Sequence, residues 1–172
     1  MPNFFAAHVP DFGRGEMTFP EIGDRLENGQ NVEHLTLNYW YGHYTKAVRA
    51  ALRGVCSNVA SFEVRTDGVT LVGENKDIPA QSIEDNTYGM LMGLHAALAS
   101  AVERACPDVR LSLSWAMHKY NPHITFQKRD GLWVGEVEDR PFEIGGITIW
   151  QREEGGPYEV VDKIRLKGRA HE

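Results

Sequence analysis

Two helices stand out in the pattern of apolar and polar residues along the chain. The first is predicted over residues 44–55, where apolar residues recur on one helical face. The second, longer helix is predicted over residues 87–105, with Pro107 just beyond its end. Its buried stripe is expected to consist of Leu91, Leu94, Leu98 and Val102. Its N-cap is expected to be one of three residues, Asp85, Asn86 or Thr87.

Much of the remaining chain has the β-branched and aromatic composition of strands. Residues 32–40 alternate well enough to predict a strand, and residues 62–65 and 69–72 flank Asp67 and Gly68, which predict a hairpin turn. Further strands are expected over residues 111–115, 123–127, 132–137, 142–150 and 158–166. Residues 4–9 form a short apolar stretch. Glycines and prolines interrupt residues 10–29, for which a strand and a surface arm or lid are both open.

The order of these elements predicts an α+β fold with antiparallel strand pairing. A strand, a helix and a hairpin are followed by a long helix, another strand and more hairpins, which suggests a weak internal duplication. No linker divides the sequence. We therefore expect residues 1–172 to form one folding unit, with residues 1–31 as an N-terminal arm of undetermined role.

Two four-residue motifs carry the candidate chemistry. Residues 34–37 (His-Leu-Thr-Leu) and 123–126 (His-Ile-Thr-Phe) both consist of histidine, an apolar residue, threonine and an apolar residue. Because alternate side chains of a strand share a face, each motif presents an imidazole beside a hydroxyl and buries its apolar pair. Composition predicts roughly 0.2 chance matches in a chain of this length, so a pair of matches favours function over coincidence.

The motif pair resembles the two-histidine phosphoesterases, the superfamily of 2′–5′ RNA ligase-like proteins and cyclic phosphodiesterases. The resemblance covers residues 32–166 and implies two pseudo-symmetric lobes, whose antiparallel sheets face a central cleft with helices outside. It implies that His34 and His123 are catalytic and that Thr36 and Thr125 bind the phosphate. Relatives include cyclic phosphodiesterases, 2′–5′ bond hydrolases or ligases, and viral enzymes that destroy cyclic oligonucleotide immune signals. Residues 38–41 depart from the plainer apolar run of relatives, which leaves the substrate open.

The chemistry also follows from the residue types. Two imidazoles with pKa values near ~6.5 can divide the general base and general acid roles at neutral pH. Each threonine hydroxyl can donate to a non-bridging phosphate oxygen. No acidic cluster has the spacing of a metal site, so we expect neither a metal nor a cofactor. Water and a ribose 2′-hydroxyl both remain open as the nucleophile.

Three further residues are candidates for substrate binding. Trp40 falls on the face of His34 by strand parity, and Tyr120 lies just before the second motif; each can stack on a base or serve the structure. Lys119 is the preferred cation of those near the second motif.

Composition and net charge limit the classes of binding partner that are expected. The chain is 42% hydrophobic and 24% charged, which is typical of a soluble globular protein. A net charge of −6 argues against binding long nucleic acid and favours a small nucleotide or cyclic oligonucleotide. We expect no membrane partner, since no apolar run approaches ~18 residues. With only two cysteines and no secretory signal, a reducing cytoplasm is the expected location, the host's if the protein is viral.

Three alternatives stay open. The first is an RNA-processing enzyme, 2′–5′ ligase-like or acting on 2′,3′-cyclic phosphates, for which a more basic surface is expected. The second is a non-catalytic module that sequesters a nucleotide, although that function does not require a pair of histidines. The third is an interaction protein whose two motifs coincide by chance.

Overall fold

The computed structural model describes residues 1–10, 21–26, 33–112 and 120–168. These residues form two α-helices, α1 (Lys46–Cys56) and α2 (Asp85–Ala105). The strands are β1 (Asn3–His8), β2 (Arg25–Leu26), β3 (Leu35–Tyr41), β4 (Phe62–Val72), β5 (Ile78–Ile83), β6 (Arg110–Leu111), β7 (His123–Thr125), β8 (Gln127–Arg129), β9 (Leu132–Val134), β10 (Pro141–Ile144), β11 (Gly146–Arg152) and β12 (Tyr158–Arg165).

One ten-stranded sheet organises these elements. Its strands run in the order β10-β4-β5-β7-β3-β1-β11-β12-β2, with β6 also pairing with β3, while β8 and β9 form a separate hairpin. The pairings between these named strands are antiparallel. The predicted α+β class is therefore confirmed. The two motif strands, β3 and β7, are neighbours near the middle of this strand order.

Both helices pack on one face of the sheet and bury the main core there. The predicted stripe of α2 is confirmed, since its four residues are at most 2% exposed. Thr45 caps α1 by accepting a hydrogen bond from the backbone N–H of Val48 (3.3 Å). Asp162 of β12 fixes α1 to the sheet through the Tyr44 hydroxyl (2.5 Å) and the Arg49 guanidinium (3.0 Å). Neither described helix is long and apolar enough to cross a membrane.

The opposite face of the sheet carries a smaller cluster of buried side chains: Phe5, Ala7, Val9, Trp150 and Val160. Tyr39 and Tyr158 pack against it. We call this surface the motif face, because the motif histidines lie on the same side of the sheet.

The N-terminal segment is a strand rather than an arm over Asn3–His8. β1 lies inside the sheet between β3 and β11, and Phe4 and Ala6 are 0% exposed in the main core. The alternation of residues 4–9 is hidden in the sequence because β1 is buried on both faces, so nearly every side chain is apolar.

The hairpin predicted at Asp67 and Gly68 is wrong. β4 continues through these residues, and they form a bulge against β5, where the register shifts between Thr66 and Val69. Gly68 adopts φ +74° and donates its N–H to the Asp139 carboxylate (2.7 Å). A dipeptide suited to a positive-φ turn therefore serves a bulge instead. The β4–β5 turn comes later, over residues 73–77.

The N-cap predicted for α2 is also wrong. The cap residue is Glu84, which makes no side-chain capping hydrogen bond. Thr87, which lies in the first turn of the helix, instead donates its hydroxyl to the carbonyl of the cap residue Glu84 (2.9 Å). The predicted strand over residues 111–115 is observed only at Arg110–Leu111, since residues 113–119 lie outside the described part of the chain.

Candidate active site

The register between β3 and β7 brings the two motifs together. Leu35 pairs with Ile124 in antiparallel register. Extending that register by one residue in each direction places His34 opposite Thr125 and Thr36 opposite His123. Each histidine thus faces the threonine of the other motif across the strand junction, at a typical cross-strand Cβ separation of ~5 Å.

Burial shows that these four residues share the motif face. Leu35 and Leu37 are 0% exposed, Ile124 is 2% and Phe126 is 8%, whereas both histidines and both threonines are half-buried. The alternation predicted for each motif is therefore observed. Two imidazoles and two hydroxyls therefore lie on one surface, at the junction of β3 and β7.

The ring of His123 is oriented by the backbone. Its Nδ1 lies 2.7 Å from the Asn121 carbonyl oxygen, and because a carbonyl only accepts, Nδ1 carries the proton. In the neutral ring the lone pair is then on Nε2. Burial lowers the pKa of His123 below its usual 6.5, while the hydrogen bond to Asn121 opposes the shift. The neutral form that accepts a proton is therefore favoured at neutral pH.

Aromatic rings surround His34. Its ring centroid lies 5.4 Å from that of Phe5 and 5.7 Å from that of Trp150. Phe5 stacks on Trp150 (5.0 Å) and on Tyr39 (6.2 Å). We refer to Phe5, Tyr39 and Trp150 as the aromatic cluster. Phe5 and Trp150 are buried, so the half-buried Tyr39 is the member of the cluster whose ring a ligand can reach.

The strand pattern predicts Trp40, rather than this cluster, as a candidate for stacking on a base. The prediction that Trp40 shares the face of His34 is wrong: Trp40 is 1% exposed and stacks on Phe4 in the main core (5.1 Å). The cause is a bulge, because Ala6 pairs with Asn38 and Ala7 with Thr36, leaving Leu37 as an extra residue in β3. An inserted residue reverses the faces that follow, so Tyr39 lies on the motif face instead.

Tyr120 is a buried structural residue and offers no ring face for stacking on a ligand. It is 3% exposed, and its ring lies against that of His95 (4.2 Å between centroids, 14° between planes). Its hydroxyl donates to the Thr36 carbonyl (2.9 Å), and its own carbonyl accepts from the Tyr88 hydroxyl (2.9 Å). Tyr120 thus joins α2 to the first motif strand. Lys119, the third predicted binding residue, lies outside the described residues.

His95 completes this support from within α2. It is 0% exposed and donates Nδ1–H to the Leu37 carbonyl (2.7 Å), while Asn38 donates its amide to the His95 carbonyl (3.1 Å). Burial lowers the pKa of His95, so it is neutral at physiological pH. These bonds hold both sides of the bulge. The only sequence signal for them was a histidine within the apolar stripe of α2.

The arrangement suits phosphoryl chemistry. Two hydroxyls and two imidazoles lie on the same face of two adjacent strands, a set of groups that can hold non-bridging oxygens and move protons to and from bridging ones. Across the described ranges, no three His, Cys, Asp or Glu side chains come together as a metal site.

Comparison with known proteins agrees with this geometry. The family model of the 2′-5′ RNA ligase superfamily matches residues 30–156, a span that includes both motifs. No curated protein matches the chain in sequence.

Several solved structures share the fold at low sequence identity. One is a phosphoesterase (16% identity, 96% of this chain and 98% of that chain, TM-score 0.58). Another is the protein TT0787 of Thermus thermophilus (18% identity, 97% and 99%, TM-score 0.58). A third is E. coli LigT complexed with 3′-AMP (19% identity, 96% and 99%, TM-score 0.56). At such identities the similarity establishes the fold alone.

Proposed function

The chain belongs to the 2′-5′ RNA ligase superfamily, and on that premise we propose that it is a metal-independent phosphodiesterase. Its substrate is a small RNA-like or cyclic nucleotide, a class that includes cyclic oligonucleotide signals. The observation that carries the proposal is the antiparallel pairing of Leu35 with Ile124. By extension of that register, His34 lies opposite Thr125 and Thr36 opposite His123. A coincidental pair of motifs has no reason to meet in this way. We extend the proposal to residues 1–172 as one bilobal domain, because β1 and β12 both belong to the same sheet.

The two histidines divide the proton transfers. His123 acts as the general base, because its Nδ1–H is held by Asn121 and burial keeps the ring neutral. Its Nε2 takes the proton from the nucleophile, water or a ribose hydroxyl, as the new P–O bond forms. His34 gives a proton to the departing oxygen as the old P–O bond breaks. Thr36 and Thr125 donate hydrogen bonds to the non-bridging oxygens, where charge is held during transfer.

A nucleotide fits the surroundings of the site. The half-buried ring of Tyr39, in the aromatic cluster beside His34, offers a surface on which a base can stack. Structures of E. coli LigT, which has the same fold, are complexed with 3′-AMP and with ATP. A cytoplasmic location is part of the proposal, since Cys56 and Cys106 are free thiols.

The test is turnover of a nucleotide panel in excess EDTA. The panel contains 2′,3′-cyclic monophosphates, 2′–5′ and 3′–5′ dinucleotides, and cyclic di- and trinucleotides. Wild type is compared with His34→Ala and with the matched control His43→Ala, which removes an exposed histidine. Cleavage that survives EDTA and is lost only in His34→Ala supports the proposal. Tight binding without cleavage of any member indicates a sequestering module and refutes it.

A further inference from the structure

A second cluster of polar and charged residues lies on the motif face, three strands away from the first motif. A cavity of about 610 Å³ opens where β1 ends and β11 begins. Among its lining residues are Thr148, Lys163 and Arg165. Nothing in the proposed reaction uses these side chains.

Strand register links this cavity to the first motif. Thr36 pairs with Ala7, Ala7 with Thr148, and Thr148 with Lys163, so these residues form one row across β3, β1, β11 and β12. Arg165, two residues further along β12, pairs with Gly146 on the same face. Three strand spacings of ~4.8 Å separate Thr36 from Lys163, about 14 Å along the sheet. Long cationic side chains shorten the gap that a ligand must span.

The two cations are available for a ligand. Lys163 and Arg165 are both exposed, and neither side chain has an ion-pair or hydrogen-bond partner within the described part of the chain. They project from alternate positions of one strand, so their charges lie side by side. On a protein with a net charge of −6, such a pair in a concave site is a local anion-attracting feature.

The other polar groups of the cavity define what kind of anion fits. Glu143 is an exposed carboxylate on the cavity lining and limits the negative charge the site accepts. His8 donates Nδ1–H to the Gly146 carbonyl (3.2 Å), which ties the end of β1 to this wall. Thr148 also lines the cavity, pairs with Lys163 across β11 and β12, and is only 6% exposed. One hydroxyl and two cations are the donor set typical of a single phosphate group.

We propose that Thr148, Lys163 and Arg165 form a second phosphate subsite, which binds another phosphate of the nucleotide whose scissile phosphate lies between the motifs. The inference rests on the proposed function for the identity of the first phosphate. It specifies the substrate further: a nucleotide or short oligonucleotide with at least two phosphates, rather than a lone cyclic monophosphate.

The test separates the subsite from catalysis. Calorimetric binding compares adenosine 3′-monophosphate with adenosine 3′,5′-bisphosphate, neither of which contains a diester to cleave. Turnover in EDTA compares adenylate trinucleotides with and without a 5′-phosphate. Both measurements use wild type, Lys163→Ala/Arg165→Ala, and the control Lys46→Ala/Arg53→Ala, which removes two exposed cations from α1 and changes the net charge equally.

The expected result is an advantage of about tenfold for the additional phosphate in wild type and in the control. In Lys163→Ala/Arg165→Ala the advantage falls to within about twofold, whereas the less phosphorylated ligand is bound equally well. If neither the bisphosphate nor the 5′-phosphorylated trinucleotide shows an advantage that this variant removes, the subsite is refuted even if wild type cleaves diesters. If the advantage is present and removed but no diester is cleaved, the subsite stands and the proposed hydrolysis fails.

Discussion

Replacing His8 should remove much of the protein's sensitivity to acid. The ring of His8 stacks on Phe142 (5.7 Å, 11°) and donates Nδ1–H to the Gly146 carbonyl. Its Nε2 is buried without a partner among the described residues. Burial therefore lowers the pKa of His8 to about 4, although the bond to Gly146 opposes the shift.

The size of the effect follows from this pKa. In the unfolded chain His8 titrates near 6.5, so between pH 6.5 and 4 the unfolded state binds a proton that the folded state does not. Stability contributed by the neutral ring is complete above pH 6.5 and is lost as the pH falls toward 4. With 1.36 kcal/mol per pKa unit, the loss is about 2 kcal/mol at pH 5 and approaches about 3 kcal/mol at lower pH.

The assay is urea unfolding at a series of pH values from 7.5 to 4.5. His8→Asn keeps a donor for the Gly146 carbonyl and has no titrating ring. His43→Asn, which replaces an exposed histidine, is the matched control. The free energy of unfolding of wild type should fall more steeply than that of His8→Asn, by about 2 kcal/mol between pH 7.5 and 5. His95 and His123 have lowered pKa values as well, but they are present in all three proteins and cancel. Parallel curves for wild type and His8→Asn would refute the reasoning.

Three further predictions concern the site. Tyr120→Phe removes the donor to the Thr36 carbonyl; it should cost about 1 kcal/mol of stability and lower kcat about tenfold at unchanged KM, whereas unchanged kcat would mean a purely structural role. Tyr39→Leu should raise KM and should cost less stability than Trp40→Leu. Trp40→Leu removes a buried ring and should destabilise by about 3 kcal/mol in chemical unfolding at unchanged KM; the reverse pattern would contradict the bulge. Because burial lowers the pKa of His123, the acid limb of the kcat/KM profile should lie below pH 6.5, and a limb above that value would exclude it as the base.

The sequence predicts the parts of this protein that depend on short-range patterns. The stripe of α2 and the alternation of each motif are local, because a residue's face is set by its near neighbours in the chain. Both helices are observed within two residues of their predicted ends. The two motifs could be identified as a pair for the same reason: four consecutive residues of a strand determine what it exposes.

The errors arise where one residue more or less changes the face or the partner of a strand. The extra residue Leu37 in β3 moved Trp40 into the core and Tyr39 onto the motif face. Residues 34–41 alone do not predict that bulge, because it depends on the pairing with β1, about thirty residues earlier in the chain. The hairpin prediction at Asp67 and Gly68 was wrong for a similar reason, because a glycine with positive φ is found in bulges as well as in turns.

The supporting contacts behind the motifs are long-range and could not be predicted. Tyr120 reaches the Thr36 carbonyl from 84 residues away, and His95 reaches that of Leu37 from 58. Buried donors of this kind are chosen by whichever carbonyl the fold leaves unsatisfied. Their residue types alone therefore carry no indication of their partners.

The most direct test of the central claim is a double-mutant cycle on the two histidines. Turnover of the best panel substrate in EDTA is measured for wild type, His34→Ala, His123→Ala and the double variant. If both imidazoles act on one phosphate, each single variant should lose about a hundredfold to ten-thousandfold, and the double variant should be little worse than the weaker single one. Losses that multiply, or a single variant that keeps wild-type turnover, would contradict the account.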